Sequence, residues 1–486
     1  MPIRFPPVLT VRQQPTDHRG PSLGHYRVPV PRGRPNPPVI SRLLPVPTRT
    51  AGVHPEMLLE SQLASAIKAR ATLLNRATLL DPRFRFLSDR VAQVARWALC
   101  EGGCRSPTDG QVELAHVFVS NLVRAALNGD MLSVQLRRGA YRYSGRYQPS
   151  CWRYKTVKTV FDLLERARLI GVIRGSSWSK LCTRVWPING LKDFVRECAD
   201  FELDVEFVPM PEVLIFRDQD RHLLEYPETR ERTRLRRRVE ELNALVAGSS
   251  QAFSAGHGMT PQQVKIFQAQ RQWCRIFKRN WQSGGRFYRG GIQNVPRSAR
   301  PHLLIDGQPT VEFDYSGLHA TMLYHLEGHA VDADPYDFVA YPELRDFAKR
   351  VLNVLLNAKS RASATSALYN IAAGGDDLTD PDEEREDPVT EFLELHGLTV
   401  SEVIRACCDR HQPIARHFGT GVGLYLQWRD SQLMARIVNH FVRQGVVCLP
   451  IHDSARVPLK YGDELEALML DVYEREFKFP IGVKRK

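Results

Sequence analysis

The 486-residue chain has no apolar run of 18 or more residues, so nothing in it reads as a helix that crosses a bilayer. No apolar segment follows the first arginine, Arg4, as a secretory leader would require. Its nine cysteines form no CxxC pair and stand at no zinc-finger spacing from histidine, which sets aside a structural zinc site of that kind. An odd, scattered set suits thiols in a reducing compartment better than a disulfide framework, so the expected setting is cytoplasmic. Internal repeats are lacking too. Acids are scarce at the start: the first 50 residues hold 12 prolines and 8 arginines against one acid, Asp17. Such a composition cannot bury enough apolar surface to order itself, and residues 1–52 are expected to form a disordered basic tail.

What is present is ordinary for a folded protein, with 43% hydrophobic and 25% charged residues. The length exceeds what one hydrophobic core usually organises, so two or three domains are expected. A formal net charge of +13 favours a polyanionic partner. Without a membrane-spanning or anchoring segment, nucleic acid is the better expectation than a membrane surface.

Apolar residues recur at three- and four-residue spacing in MLLESQLASAIKARATLL from Met57, in FLSDRVAQVARWALC and in VELAHVFVSNLVRAALNG, which predicts helices in a region spanning 53–200. A further helix is expected over 154–171, followed by two short β runs around a Gly/Ser/Lys turn. This order resembles a winged helix, a resemblance that puts Tyr154, Lys155 and Lys158 at the start of a recognition helix and Lys180 and Arg184 in the wing. A helix and hairpin that merely pack is the other reading. Residues 201–280 read as a linker with two basic amphipathic helices, 228–246 and 261–281, either gripping a nucleic-acid backbone or presenting a solvated face. In the last region, 281–486, DDLTDPDEERED at 376–387 carries eight acids and reads as an exposed loop.

The chemistry lies in that last region. TVEF, 310–313, is a β-prone run that delivers Asp314 at its end, beside the carbonyl of Tyr315. VVCLPI, 446–451, is a second such run, followed by His452 and Asp453. Carboxylates at two strand ends supply hard oxygen ligands for divalent ions, and a pair of such ions activates one oxygen while stabilising another. Either aspartate alone would read as a turn or helix-capping residue. Arg345, Lys349, Asn353 and Asn357 recur at four-residue steps along one helix face, a stripe that suits the phosphates of a nucleotide.

Together, GGRFYRGGIQNVP, FDYSGLH, the Arg345–Asn357 stripe and IHDS resemble, in order, four elements of the family A DNA polymerases, over residues 228–486. The resemblance implies an α+β fold with thumb, fingers and palm, and a nucleotidyltransferase that extends a 3′ end on a DNA or RNA primer-template using nucleoside triphosphates and two Mg²⁺ or Mn²⁺. It implies metal binding by Asp314, Asp453 and the Tyr315 carbonyl, and triphosphate contacts from Arg345 and Lys349. Arg286, Gln293, Asn294, His452 and Gln427 would lie near primer and template. Departures are informative. His319 stands where the DNA polymerases carry the Glu that excludes a ribose hydroxyl, and Asn353 and Asn357 replace aromatic residues. Ser454 ends the last motif, as in phage-type single-subunit RNA polymerases. No paired acids of a proofreading exonuclease stand in the first 280 residues. Two other readings remain open from sequence: a non-catalytic DNA-binding replication or regulatory protein with a degenerate palm, and a metal-dependent nuclease.

Overall fold

The computed structural model describes residues 77–486, except 142–144, 148–151, 176–181, 200–201, 220, 332–333, 338–341 and 373–389. The basic tail, the helical stretch from Met57, Lys180 and the acidic loop at 376–387 lie outside the described residues. The fold is mixed α and β, built around two main hydrophobic cores.

The first core is assembled from β1 (Ala77–Leu79), β2 (Phe84–Phe86), α1 (Asp89–Glu101), α2 (Asp109–Leu127), β3 (Met131–Val134), α3 (Tyr154–Arg166), β4 (Ile170–Ile173), β5 (Thr183–Pro187), α4 (Asn189–Ala199) and β6 (Val205–Phe207). Helix α2 begins with a capping box, Thr108 accepting from the Gln111 amide while Gln111 reaches back. Helix α3 buries Val157, Val160, Phe161, Leu163 and Leu164, the three- and four-residue spacing of its sequence. It stops at Arg166, earlier than the periodicity suggests, because Arg168 turns the chain with a φ of 53°. The two β runs after it pair antiparallel, as expected, but within a larger sheet. They are β4 and β5 of a four-stranded sheet ordered β1-β3-β5-β4, in which β5 is flanked on both sides.

The second core follows with β7 (Leu214–Arg217), α5 (Arg230–Gly248), β8 (Gln251–Phe253), α6 (Pro261–Ala269), β9 (Cys274–Lys278) and β10 (Asn280–Tyr288). The expected second basic helix over 261–281 is therefore corrected: only its first turns are helical. Gln270 ends it, and the aromatic and β-branched run around Trp273, Ile276 and Phe277 forms β9, which pairs β10 antiparallel and β7 in parallel. On α5 the basic face is partly internal, since Arg236 bonds to Glu212 and Glu228, which also hold Arg146.

The remaining elements are β11 (Leu303–Ile305), β12 (Gln308–Tyr315), α7 (Leu318–Leu326), α8 (Arg345–Asn357), α9 (Arg361–Ala372), α10 (Thr390–Leu395), α11 (Val400–Arg410), α12 (Gly423–Arg443), β13 (Leu449–Ile451), β14 (Ser454–Pro458), α13 (Gly462–Phe477) and β15 (Val483–Arg485). Strands β13, β14, β12, β11 and β8 lie side by side in that order, and β15 pairs β12 as well. Positions 311, 313 and 315 of β12 face the core, where the Tyr315 hydroxyl donates to the Met469 carbonyl of α13. By the two-residue period of a strand, positions 310, 312 and 314 face the other way. That second face is where the polar residues collect.

Candidate active site

Directly opposed residues of antiparallel strands share a face, so the register Glu312↔Arg456 and Asp314↔Ser454 brings these four side chains to one side of the sheet. Arg456 and Glu312 form an ion pair at 2.9 Å with both side chains buried, and the Ser454 hydroxyl donates to Glu312 at 2.7 Å. Between β13 and β14 the chain reverses in the two residues His452 and Asp453, with His452 at a φ of 56°. A left-handed residue other than glycine costs on the order of 1–3 kcal/mol and persists only where its surroundings impose it. The turn delivers Asp453 next to the end of β12, hence next to Asp314.

Burial raises the Asp314 carboxyl to about 6, and the negative charge of Asp453 adds to this; Lys486, with Nζ 2.7 Å from Asp314, works in the opposite sense. Main-chain bonds from Ser316 to the Gly482 carbonyl and from Lys486 to the Glu312 carbonyl turn the even positions of β12 toward β15. The alternation of an antiparallel ladder then leaves the Tyr315 carbonyl on the opposite edge, toward the His452–Asp453 turn. Among the described residues no group of three or more His, Cys, Asp or Glu side chains is gathered to hold a metal unaided. Two carboxylates and a carbonyl are nevertheless the donor set that suits Mg²⁺, which keeps several waters and takes further ligands from phosphate.

These residues lie in a cleft of about 970 Å³, near the upper end for small-molecule sites. Eight basic and five acidic described side chains line it, so an anion is the ligand its charge favours. Helix α8 contributes Arg345, Lys349, Asn353 and Asn357 to that lining, while Phe347, Val351, Leu352 and Leu355 anchor its other face in the core. Arg345 is latched in place, bonding through Nε to Asp334 at 2.8 Å and lying over the Tyr336 ring. The Asn357 amide donates to the Asn353 carbonyl at 2.9 Å. The link from β12 into α7 turns at Gly317, at a φ of 58°, where an added Cβ would also come within 3.1 Å of Pro335.

His319, on α7, and Arg286, on β10, meet over a residue that sequence reasoning did not select. Asp430 of α12 accepts from Arg286 Nε at 2.8 Å and lies 2.8 Å from His319 Nε2, while its other oxygen has no hydrogen-bond partner among the described residues. Burial works against the Arg286 charge, but the Asp430 and Asp453 carboxylates outweigh it and hold the guanidinium more firmly protonated. Close approach of β10 to α12 depends on Gly285, at a φ of 81°, where a Cβ would come within 2.7 Å of the Phe277 ring and 3.0 Å of Ser431. Asp430 stands three residues after Gln427 on the same helix face, the one signal by which it could have been found. Gln427 lines the cleft with a buried Oε1 that lacks a hydrogen-bond partner among the described residues. Other cleft residues that sequence reasoning missed are Arg297, Arg300 and Lys484.

Several expected contacts are not in this cleft. Gln293 donates to the Phe287 carbonyl and Asn294 to Gln270, so both fasten the turn after β10, and neither is among the cleft-lining residues. In the first core, Arg184 is buried on the flanked strand β5 and donates to Ser133 and the Cys182 carbonyl, so its side chain is not offered to a nucleic acid. Lys158 is paired with Asp162, Tyr154 lies against Tyr141, and Lys155 is exposed.

No protein-family model matches this chain, and no curated protein matches it. Among solved structures it is similar to the POL domain of Pol1 from M. smegmatis in complex with DNA primer-template and dNTP, at 14% identity and a TM-score of 0.28. The match covers 53% of this chain and 51% of that one, so the chain spans about half the length of the solved chain.

Proposed function

We propose that this chain is a template-directed nucleotidyltransferase with a polymerase-like palm, fingers and thumb, extending a 3′ end on a DNA or RNA primer-template. The observation that carries the reading is the joint presence, in one cationic cleft, of the Asp314–Asp453 pair and the Arg345–Asn357 stripe. In this reading Asp314, Asp453 and the Tyr315 carbonyl would hold two Mg²⁺ or Mn²⁺. Such ions, when bound, activate the attacking oxygen and stabilise the leaving one.

The protein's own residues then divide the remaining work. Arg345 and Lys349 neutralise the triphosphate, which requires Arg345 to leave Asp334. Asn353 and Asn357 line the path of the base and sugar. His319, fixed by Asp430, faces the sugar in place of the Glu that excludes a ribose hydroxyl in the DNA polymerases. Arg286, Gln427 and His452 contact the primer end, and exposed Lys155 with Tyr154 and Lys158 assists duplex binding from the first core.

One observation favours a second reading, a DNA-binding replication or regulatory protein without catalysis: Asp314 and Arg345 are both satisfied internally, by Lys486 and Asp334. Primer-extension and unprimed synthesis assays with Mg²⁺ or Mn²⁺ separate the two. Incorporation that is lost in Asp314→Ala and Asp453→Ala supports the enzyme; duplex binding without incorporation on any template supports the alternative. Degradation of labelled DNA without added nucleotides would point instead to a nuclease.

A further inference from the structure

We infer that Lys486 is a built-in counter-ion of the carboxylate pair, one that a divalent cation must displace from Asp314. The inference rests on the metal site proposed above and concerns what fills that site before the ion arrives. Strand register, rather than the reach of a flexible side chain, sets the position of this lysine. β15 pairs β12 through Phe313↔Arg485, Asp314↔Lys484 and Tyr315↔Val483, and the Lys486 amide donates to the Glu312 carbonyl at 2.9 Å. The two-residue period then puts Lys484 and Lys486 on the face that carries Glu312 and Asp314.

The ammonium lies 2.7 Å from Asp314 Oδ2 and 3.7 Å from Glu312 Oε1. Glu312 is already satisfied by Arg456 and Ser454, so Asp314 is the partner that needs this charge. An ion bound through the same carboxylate oxygen would meet a like charge at contact distance, and that repulsion favours departure of the ammonium. The Lys486 side chain is 51% exposed, so it can swing into solvent without opening the core. Displacement is therefore an exchange of one cation for another, with little change in the fold around it. Once released, the ammonium stands beside Lys484 at the cleft, where it can meet an incoming phosphate.

The test is Mn²⁺ binding without nucleotide, read from the electron paramagnetic resonance signal of free Mn²⁺. Lys486→Gln is expected to bind about tenfold more tightly than the unsubstituted chain, and Lys486→Arg to stay within about twofold of it because the competing charge remains. In the unsubstituted protein, labelling of the Lys486 amine by an acylating reagent, followed by mass spectrometry, should rise when Mn²⁺ is added. Unchanged or weaker Mn²⁺ binding in Lys486→Gln, or labelling that ignores the metal, overturns the inference. Asp314→Asn separates the two claims. If that variant loses the Mn²⁺ site while Lys486→Gln changes nothing, only the counter-ion is wrong. If it binds Mn²⁺ as before, the metal reading fails and the counter-ion falls with it.

Discussion

The two large sheets of this molecule treat their polar side chains in opposite ways. In the four-stranded sheet, buried Arg184 is matched to a serine hydroxyl and a main-chain carbonyl, and charges of helix α3 are paired, Lys158 with Asp162 and Glu165 with Arg174. In the larger sheet, Glu312 and Arg456 pair off, whereas Asp314 and Asp453 stand side by side with only the half-exposed Lys486 against Asp314, whose carboxyl is still raised to about 6. Matched polar groups stabilise a sheet and leave it chemically quiet. Like charges held together cost free energy that a bound cation recovers, which is why strongly perturbed groups gather where ligands bind.

The largest test of that contrast is chemical. Asp314→Ala or Asp453→Ala should lower nucleotide incorporation by at least about 10³-fold, with a circular dichroism spectrum that is unchanged. An equal loss from Arg184→Ala, with the fold intact, would break the contrast.

Next in size is the buried pair. Glu312→Gln or Arg456→Met strands a partner away from water and should cost about 3–5 kcal/mol in urea unfolding. Arg184→Met, which removes hydrogen bonds to neutral groups, should cost about 1–3 kcal/mol.

A smaller effect follows pH. Between about 4 and 6 the native Asp314 keeps a proton that the unfolded chain has released, so stability falls as pH rises through that window. The change should amount to about 1–3 kcal/mol without metal, and Asp314→Asn should abolish it. Incorporation should run the other way, declining at low pH as protons compete with the metal for the carboxylate. A flat profile in both measurements would remove Asp314 from the site. The smallest effect belongs to exposed Lys155: Lys155→Ala should reduce the logarithmic salt slope of duplex binding by about 0.9, whereas Arg184→Met should leave the slope alone.

Local pattern made much of the site legible. Four-residue steps from Arg345 to Asn357 give the face of α8, and two apolar runs ending in aspartate give the strands that carry Asp314 and Asp453. Asp430 and Lys486 were hidden for a different reason. Each acts through a contact across more than 100 residues of chain, Asp430 with His319 and Lys486 with Asp314, and neither carries a local sign of its partner. The misreading of 261–281 as one helix has a comparable cause. Arginines and glutamines are compatible with helix, but burial of Trp273, Cys274, Ile276 and Phe277 between neighbouring strands overrides that preference. Arg184 fails in the same way, because a basic residue near a turn looks exposed until a third strand is known to cover it.

The alternation along β12 also limits how this region can diverge. Val311, Phe313 and Tyr315 point one way and Glu312 and Asp314 the other, so inserting or deleting a single residue between Val311 and Asp314 would exchange the two sets from that point on. Phenylalanine would be thrust into the cleft and aspartate into the packed interior beneath α13. Substitutions in β12 can therefore be sampled one at a time, but its length is fixed.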